Sequence, residues 1–374
     1  MIKIGITGQN GFIGSHLYNY LSLFRNEYKL IPFENIIFND ENKLIEFVSN
    51  CDVIIHLAAL NRHHNENEII KVNIELVEKL ISAISKSSSR PHIIFSSSTQ
   101  EKLDNPYGLS KKMGRKIFIE WAKKLGYGFT GLVIPNVFGP FGKPYYNSVV
   151  STFSHQLIVG EEPNIINDKE LNLIYVQELC DEIHKVVINY RDQLIEEYYV
   201  PSTYSSKVSK ILKLLEIYYY DYIENKIIPE LINHFDINLF NTFRSYINYL
   251  NFFPVFYKTH SDERGIFSEL VKSKIKGQIS FSTTKPGVTR GNHFHTRKIE
   301  RFSVIKGKAK IQIRKYNTND IIEFTIENGN PGFVDMPIWY THNLINIGEE
   351  ELYTVFWINE FYNVTDPDTY FEPV

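Results

Sequence analysis

The chain has 374 residues, of which 43% are hydrophobic and 22% charged, with a formal net charge of −3. At roughly 150 residues per domain this length calls for two or three units, each able to bury a core, and the composition excludes a disordered chain. The nearly balanced charge and the lack of a long Lys/Arg run argue against a nucleic-acid binder, and no apolar run is long enough to span a bilayer.

Strand-like sequence begins at once in MIKIGIT, without the basic–apolar–small pattern of a leader, so a cytoplasmic setting is expected. Cys51 and Cys180, far apart and outside any CxxC, fit a reducing compartment. IKIGIT, FIGSHLYNYLSLF, DVIIHLAAL, VNIELVEKLISAI and HIIFSSS then alternate short apolar runs with helical stretches. Strands that are near-continuous apolar runs separated by helices predict a parallel sheet covered on both faces. The rhythm continues through FTGLVIPNVFG, and a helix-like stretch rich in Tyr, Ile and Asn follows from about Lys207 to Leu250, with Pro229 as a break. After Phe252 short alternating segments such as GQISFSTT, DIIEFTIENG and ELYTVFWINEF, punctuated by Gly and Pro, predict an antiparallel barrel or sandwich. The expected organisation is therefore an α/β nucleotide-binding domain over residues 1–250 and an all-β domain over 251–374.

Gly8, Gly11 and Gly14 stand between the first strand and the first helix. Small residues there let the backbone approach a pyrophosphate while the helix N-terminus faces its charge, which is a dinucleotide signature in this context. The second strand, YKLIPF, is followed by Glu34, and a carboxylate at that point favours NAD over NADP, with Lys29 and Arg25 also within the uncertainty of the strand end. Tyr107 and Lys111 are four apart at the start of a helix in NPYGLSKK, hence on one face. A carbonyl that receives a hydride needs a proton on its oxygen; the Tyr107 hydroxyl can give it if the Lys111 ammonium draws its pKa toward neutrality. Ser98 ends an apolar strand at the tip where ligands bind in open α/β sheets, and can hydrogen-bond the same oxygen.

The set GQNGFIG, DVIIHLAALNR, FSSS, YGLSK and PNVFGP resembles the extended short-chain dehydrogenase/reductase family acting on nucleotide sugars, over about the first 200 residues. The resemblance implies a Rossmann fold, a catalytic triad of Ser98, Tyr107 and Lys111, cofactor contacts from Leu57, Ala58, Ala59, Asn73 and Lys111 beside the glycines, and Asn136 near the substrate. The chain departs from the family in its very short connection between Ser98 and Tyr107, and in Val133 and Ile134 before Pro135, where many relatives carry Arg.

In the second half, His293, His295, Glu300 and His342 lie in RGNHFHTRKIERFSVIKG and MPIWYTHNLIN. His-x-His on a strand points two imidazoles to one face, and Glu300 on the adjoining strand can complete a cluster whose donors suit Zn, Fe, Mn or Ni. With Gly307, Pro337 and Asn346 the two segments resemble the metal motifs of the cupin superfamily, which implies a cupin barrel holding a divalent metal, with Zn the first choice. DERGIFSEL and GVTRGNHFH are similar to deoxysugar-nucleotide 3,5-epimerases, and imply substrate contacts from Arg264 and Glu269. In those enzymes the residue aligned with His293 is the base; as a metal ligand it cannot be, so Tyr340, Lys298 or a metal-bound water are candidates.

Along its whole length, through KPYYNSVVSTF, NLIYV and DPDTYFEPV, the chain resembles bifunctional capsular-polysaccharide epimerase–reductases of the UDP-L-fucosamine pathway. The resemblance implies a homodimer that epimerises C3 of a UDP-2-acetamido-2,6-dideoxy-4-hexulose in the cupin and reduces C4 in the N-terminal domain. NADPH, rather than the NADH that Glu34 suggests, is the cofactor so implied. The rival readings are an NAD-dependent epimerase or dehydratase whose cupin only dimerises it, and a non-catalytic sensor of NADPH or a UDP-sugar, against which the intact Ser98, Tyr107 and Lys111 speak.

Overall fold

The computed structural model describes residues 1–190, 193–263, 265–327 and 329–374. Two compact units are formed, one by Met1–Thr152 with Ile165–Val208 and the other by Phe153–Asn164 with Ser209–Val374.

The first unit is built on strands β1 (Ile2–Thr7), β2 (Tyr28–Ile31), β3 (Val53–His56), β4 (His92–Ser98) and β5 (Phe129–Ile134), with β6 (Asn136–Phe138), β7 (Glu170–Tyr175), β8 (Leu194–Tyr199) and β9 (Tyr204–Lys207) following. Six of them form a parallel sheet in the order β2-β1-β3-β4-β5-β8. β3, β4 and β5 are buried at every residue, because helices cover both faces and leave no polar side to the strands. One apolar layer gathers Phe47, Leu80, Phe95, Phe118 and Trp121; the other gathers Leu17, Ile55, Ile94, Leu179 and Ile183. Helices α1 (Phe12–Leu21), α2 (Glu41–Ser49), α3 (Glu66–Lys86) and α4 (Pro106–Leu125) connect successive strands. The strand order reverses direction beside β1, so the carboxyl ends of β1, β3 and β4 open onto a crevice, the place where such sheets bind ligands.

The second unit carries β10 (Val255–Phe256), β11 (Thr259–Asp262), β12 (Gly265–Ser268), β13 (Gln278–Thr284), β14 (Thr289–Phe294), β15 (Glu300–Lys306), β16 (Ala309–Lys315), β17 (Ile321–Ile326), β18 (Gly332–Met336), β19 (Tyr340–Asn346), β20 (Leu352–Ile358) and β21 (Tyr370–Phe371). They make two five-stranded sheets, β10-β18-β15-β20-β13 and β17-β16-β19-β14-β21, and the hairpin β11-β12. Every pairing is antiparallel, so the all-β cupin barrel follows the Rossmann unit as the sequence suggests.

The helical stretch between Ser209 and Leu250 packs with this barrel. Tyr222 donates to Asp335 Oδ2 at 2.6 Å, Asn241 to the Arg297 carbonyl at 3.0 Å and Arg244 to the Met336 carbonyl at 3.0 Å. The change of sequence texture near residue 250 thus marks the first strand of the second unit, which also takes in the chain from Ser209 onward and the segment Phe153–Asn164. Asp335 also takes a two-pronged ion pair from the buried Arg301 (2.7 and 2.9 Å), whose guanidinium lies 3.6 Å from the Phe333 ring centroid.

Candidate active sites

The glycine loop is formed by close backbone approach. Gly8 has φ +74°, where L side chains are strained, and a Cβ there would lie 2.8 Å from the Ala58 nitrogen. A Cβ on Gly14 would fall 2.1 Å from the Gly8 carbonyl oxygen. Gly11 caps α1 without a side-chain bond, so the first N–H groups of the helix stay available to an anion. Leu57 and Ala58 continue from β3 and donate to Thr7 O (3.1 Å) and Thr7 Oγ1 (3.4 Å), which brings the HLAA segment, with Ala59, against the loop. Asn73, expected to line the cofactor, is buried on α3 and clamps Leu60 in both directions at 2.7 and 2.9 Å, also donating to Ser110 at 2.8 Å. Its amide therefore shapes the loop after β3. A cradle that a side chain would fill, ending on an uncapped helix, fits a dinucleotide pyrophosphate. Glu34 is exposed just beyond β2.

Ser98 is the last residue of β4, and its Oγ accepts from the Gln100 amide at 3.2 Å, which leaves its proton to be given elsewhere. Asn105 caps α4 by accepting from Gly108 at 2.8 Å, and Pro106 occupies the first turn, so Tyr107 and Lys111 enter one turn apart. Lys111 is 2% exposed; its ammonium donates to Ser96 Oγ at 3.3 Å and lies 5.7 Å from the Tyr107 ring centroid. Burial lowers the Lys111 pKa to about 7, opposed by Glu101, and pushes Tyr107 up to about 12, opposed by a hydrogen bond with Asn61. The electrostatics thus differ from the expectation that Lys111 draws Tyr107 toward neutrality: burial weakens the charge of the one and dominates the titration of the other.

Tyr107 opens onto a cavity of about 370 Å³ also lined by Asn61, Arg62, His63, Gln100 and Asn105. None of these five was singled out in the sequence, although Asn61 and Arg62 directly follow HLAAL and could have been read with it. Asn136 is exposed on β6, donates to the Asn172 carbonyl at 3.5 Å, and is outside that lining. The short connection from Ser98 to Tyr107 is secured by Glu101, which accepts from Ser97 and binds Arg115 through two contacts of 2.9 and 2.6 Å. Gly108 is required there, since a Cβ would meet the Gln100 carbonyl at 2.0 Å.

In the barrel, His293, His295, Glu300 and His342 converge, with one donor atom from each lying within 4.8 Å of the others. His293 on β14 stands directly opposite His342 on β19, and Glu300 begins β15 in the other sheet. The pairing of β14 slips between Gly291 and His293, where Asn292 takes φ +59°, a bulge that sets the direction of His293. Glu300 Oε2 lies 3.0 Å from His295 Nε2, 3.3 Å from His342 Nε2 and 3.9 Å from His293 Nε2. The Nδ1 atoms of His295 and His342 donate to the carbonyls of Asp368 (2.5 Å) and Tyr340 (3.0 Å), which turns both Nε2 atoms toward the cluster. His342 Nε2 is buried without a hydrogen-bond partner. Burial would raise Glu300, but the three imidazoles outweigh it and hold the carboxyl well below its usual range, while burial lowers His342 to about 4. Three imidazoles and one carboxylate, with a buried lone pair lacking a proton donor, fit a divalent metal of the Zn type.

Of the other expected residues, Lys298 is buried with its ammonium on the Pro367 carbonyl at 2.5 Å. Tyr340 packs edge-on to Tyr249, with ring centroids 5.4 Å apart. Glu269 is exposed and paired with Lys272 at 2.6 Å, and Arg264 lies outside the described residues. Among the described residues no helix is long and apolar enough to cross a membrane.

Residues 4–200 match the NAD dependent epimerase/dehydratase family, and residues 260–370 match the polysaccharide biosynthesis C-terminal domain. A UDP-2-acetamido-2,6-beta-L-arabino-hexul-4-ose reductase of Pseudomonas aeruginosa is 31% identical, covering 99% of this chain and 98% of the relative. The crystal structure of the capsular polysaccharide assembling protein CapF from Staphylococcus aureus aligns over 100% of both chains with 31% identity and a TM-score of 0.61. A UDP-glucose 4-epimerase structure from Thermotoga maritima, 21% identical over 66% of this chain and 98% of its own with a TM-score of 0.55, shares the fold. With its glycine cradle, Ser–Tyr–Lys set and full-length match to CapF, the chain belongs to the NAD dependent epimerase/dehydratase family, in its two-part form with a C-terminal cupin.

Proposed function

We propose that the chain is a bifunctional nucleotide-sugar enzyme of capsule or O-antigen synthesis. In this reading the cupin epimerises C3 of a UDP-2-acetamido-2,6-dideoxy-4-hexulose, and the N-terminal unit reduces the C4 ketone to give UDP-2-acetamido-2,6-dideoxy-L-talose. The observation that carries it is the presence on one chain of Tyr107 at a cavity, with Lys111 one turn along the same helix and Ser98 at the end of β4, and of a three-His, one-Glu cluster in a barrel. The Pseudomonas relative, matched from end to end, supports the substrate class. The order of steps follows from the chemistry: a C4 ketone acidifies the C3 proton by stabilising an enolate, so epimerisation precedes reduction, which removes that ketone.

In the N-terminal unit Gly8, Gly11 and Gly14, with Leu57, Ala58 and Ala59, would hold the dinucleotide, which supplies the hydride when bound. Ser98 donates to the sugar carbonyl and Tyr107 gives its oxygen a proton. Tyr107 at about 12 is a poor acid near neutrality, and Lys111, whose own pKa is about 7, is about half protonated there; in this reading that protonated fraction supplies the positive charge that lowers Tyr107. In the cupin His293, His295, Glu300 and His342 would hold the metal, preferably Zn, which supplies Lewis acidity or cross-links the two sheets. Asn136, Arg264 and Glu269 remain the proposed substrate contacts. Exposed Ile279 and Phe281 on the edge strand β13, each 64% exposed, support a homodimer through this edge.

The cofactor proposed is NADPH. Glu34 beyond β2 favours NADH as the second reading, because a carboxylate repels a 2′-phosphate. The test is to supply the 4-keto-6-deoxy UDP-sugar with NADPH or NADH and follow loss of reduced nicotinamide, with Tyr107→Phe as the inactive partner. Oxidation of neither nicotinamide would sink the reductase. Return of the cofactor unchanged with conversion of the sugar would favour an NAD-dependent epimerase or dehydratase carrying a structural cupin.

A further inference from the structure

Near its C-terminus the chain runs back across the His-x-His segment. Asp368 is 2% exposed and takes φ +38°, a backbone region Asp enters more readily than most residues. Its Oδ1 accepts from Thr296 N (3.0 Å) and Thr296 Oγ1 (2.7 Å), and its Oδ2 from the amides of Arg297 and Lys298 (3.0 Å each). The same residue's carbonyl accepts from His295 Nδ1 at 2.5 Å. Asp366 pairs with Arg297 at 2.8 and 3.0 Å, Phe371 stands opposite His293 in the β14–β21 pairing, and Glu372 N donates to Asn292 O at 2.9 Å.

Thr296–Lys298 is the turn between His295 and Glu300, so the Asp368 carboxylate fixes the path from one cluster residue to the next. A carbonyl can only accept, so His295 must carry a proton on Nδ1, and the ring is thereby held with Nε2 facing Glu300, 3.0 Å away. Removing the carboxylate leaves three backbone amides short of a partner and frees the carbonyl that orients the ring. We infer that Asp368 is a positioning residue of the barrel's metal site: its carboxylate shapes the turn, its carbonyl aims His295, and the C-terminal segment thereby sets metal affinity. This rests on the metal reading above.

The test uses the full chain as wild type, Asp368→Ala, Asp368→Asn and Thr369→Ala, the last an exposed neighbour. Zn²⁺ is titrated against a chromophoric chelator, and the Co²⁺-loaded proteins are compared by visible absorption. Asp368→Ala should bind Zn²⁺ about 10- to 100-fold more weakly with altered Co²⁺ bands, Asp368→Asn should fall between it and wild type, and Thr369→Ala should match wild type. If Asp368→Ala does not fold, Asp368→Asn carries the comparison. A wild-type chain that binds no Zn²⁺ refutes the metal reading and the inference with it. A wild type that binds, beside Asp368 variants that bind within twofold of it, overturns the inference alone. Weaker binding with an unchanged Co²⁺ spectrum also overturns it, since the ligand geometry would then be intact.

Discussion

Replacing Lys111 by Met removes a buried ammonium while keeping most of the chain's volume. The Lys111 pKa is lowered from 10.5 to about 7, chiefly by burial, which penalises the charged form by about 5 kcal/mol. Below the folded-state value both states carry the proton and the full penalty acts; between 7 and 10.5 only the unfolded chain is protonated, so stability rises with pH by about 1.4 kcal/mol for each decade. The penalty therefore falls from about 5 kcal/mol at pH 6 to about 2 kcal/mol at pH 9. Lys111→Met should lack this rise. The assay is urea unfolding of both proteins at the two pH values: packing changes common to both cancel, and so does the titration of the histidine cluster. The expected result is a wild type that gains about 3 kcal/mol on the variant between pH 6 and pH 9, while the variant is inactive throughout. An identical pH dependence in the two proteins would refute a neutralised Lys111.

Gly14→Ala places a methyl 2.1 Å from the Gly8 carbonyl, so nucleotide binding, followed by reduced-nicotinamide fluorescence, should weaken at least tenfold and stability fall by about 1–3 kcal/mol; unchanged affinity would place the dinucleotide elsewhere. Glu101→Gln leaves Arg115, 8% exposed in its side chain, with the partly exposed Glu197 as its remaining anion among the described residues, and should cost about 3 kcal/mol in urea unfolding. A loss below about 0.5 kcal/mol would contradict a buried latch. Chelation of a tightly bound metal should lower the melting temperature of the barrel unit, by the equivalent of about 4 kcal/mol at a free metal level a thousand times the dissociation constant; identical melts with and without chelator would argue against occupancy.

The βαβ rhythm was readable because fully buried parallel strands are uninterrupted apolar runs, as in β3 and β4, and because Gly8 and Gly14 mark a backbone approach that leaves no room for a side chain. The convergence of His293, His295, Glu300 and His342 was readable because these residues fall in two segments of recognisable spacing. What the sequence left hidden depends on tertiary contact. Asn73 serves the loop through Leu60, a role no spacing expresses. The bulge at Asn292 decides where His293 points, and Asp368, over seventy residues from His295, holds that ring in place. The helices after Ser209 read as part of the first domain because their apolar faces resemble those before them; the Tyr222–Asp335 contact that joins them to the barrel is long-range. The burial that brings Lys111 to about 7 and Tyr107 to about 12 was not legible, because spacing gives proximity but says nothing of burial.

The most direct test of two coupled chemistries on one chain is to incubate the enzyme with the 4-keto-6-deoxy UDP-sugar in deuterated water without NADPH. Deuterium should appear at C3 and should be abolished by a His293 substitution but retained in Tyr107→Phe, since in the proposed order the barrel acts before the reductase. No exchange at C3 by a metal-loaded enzyme would contradict the proposed epimerase and leave the barrel a structural role.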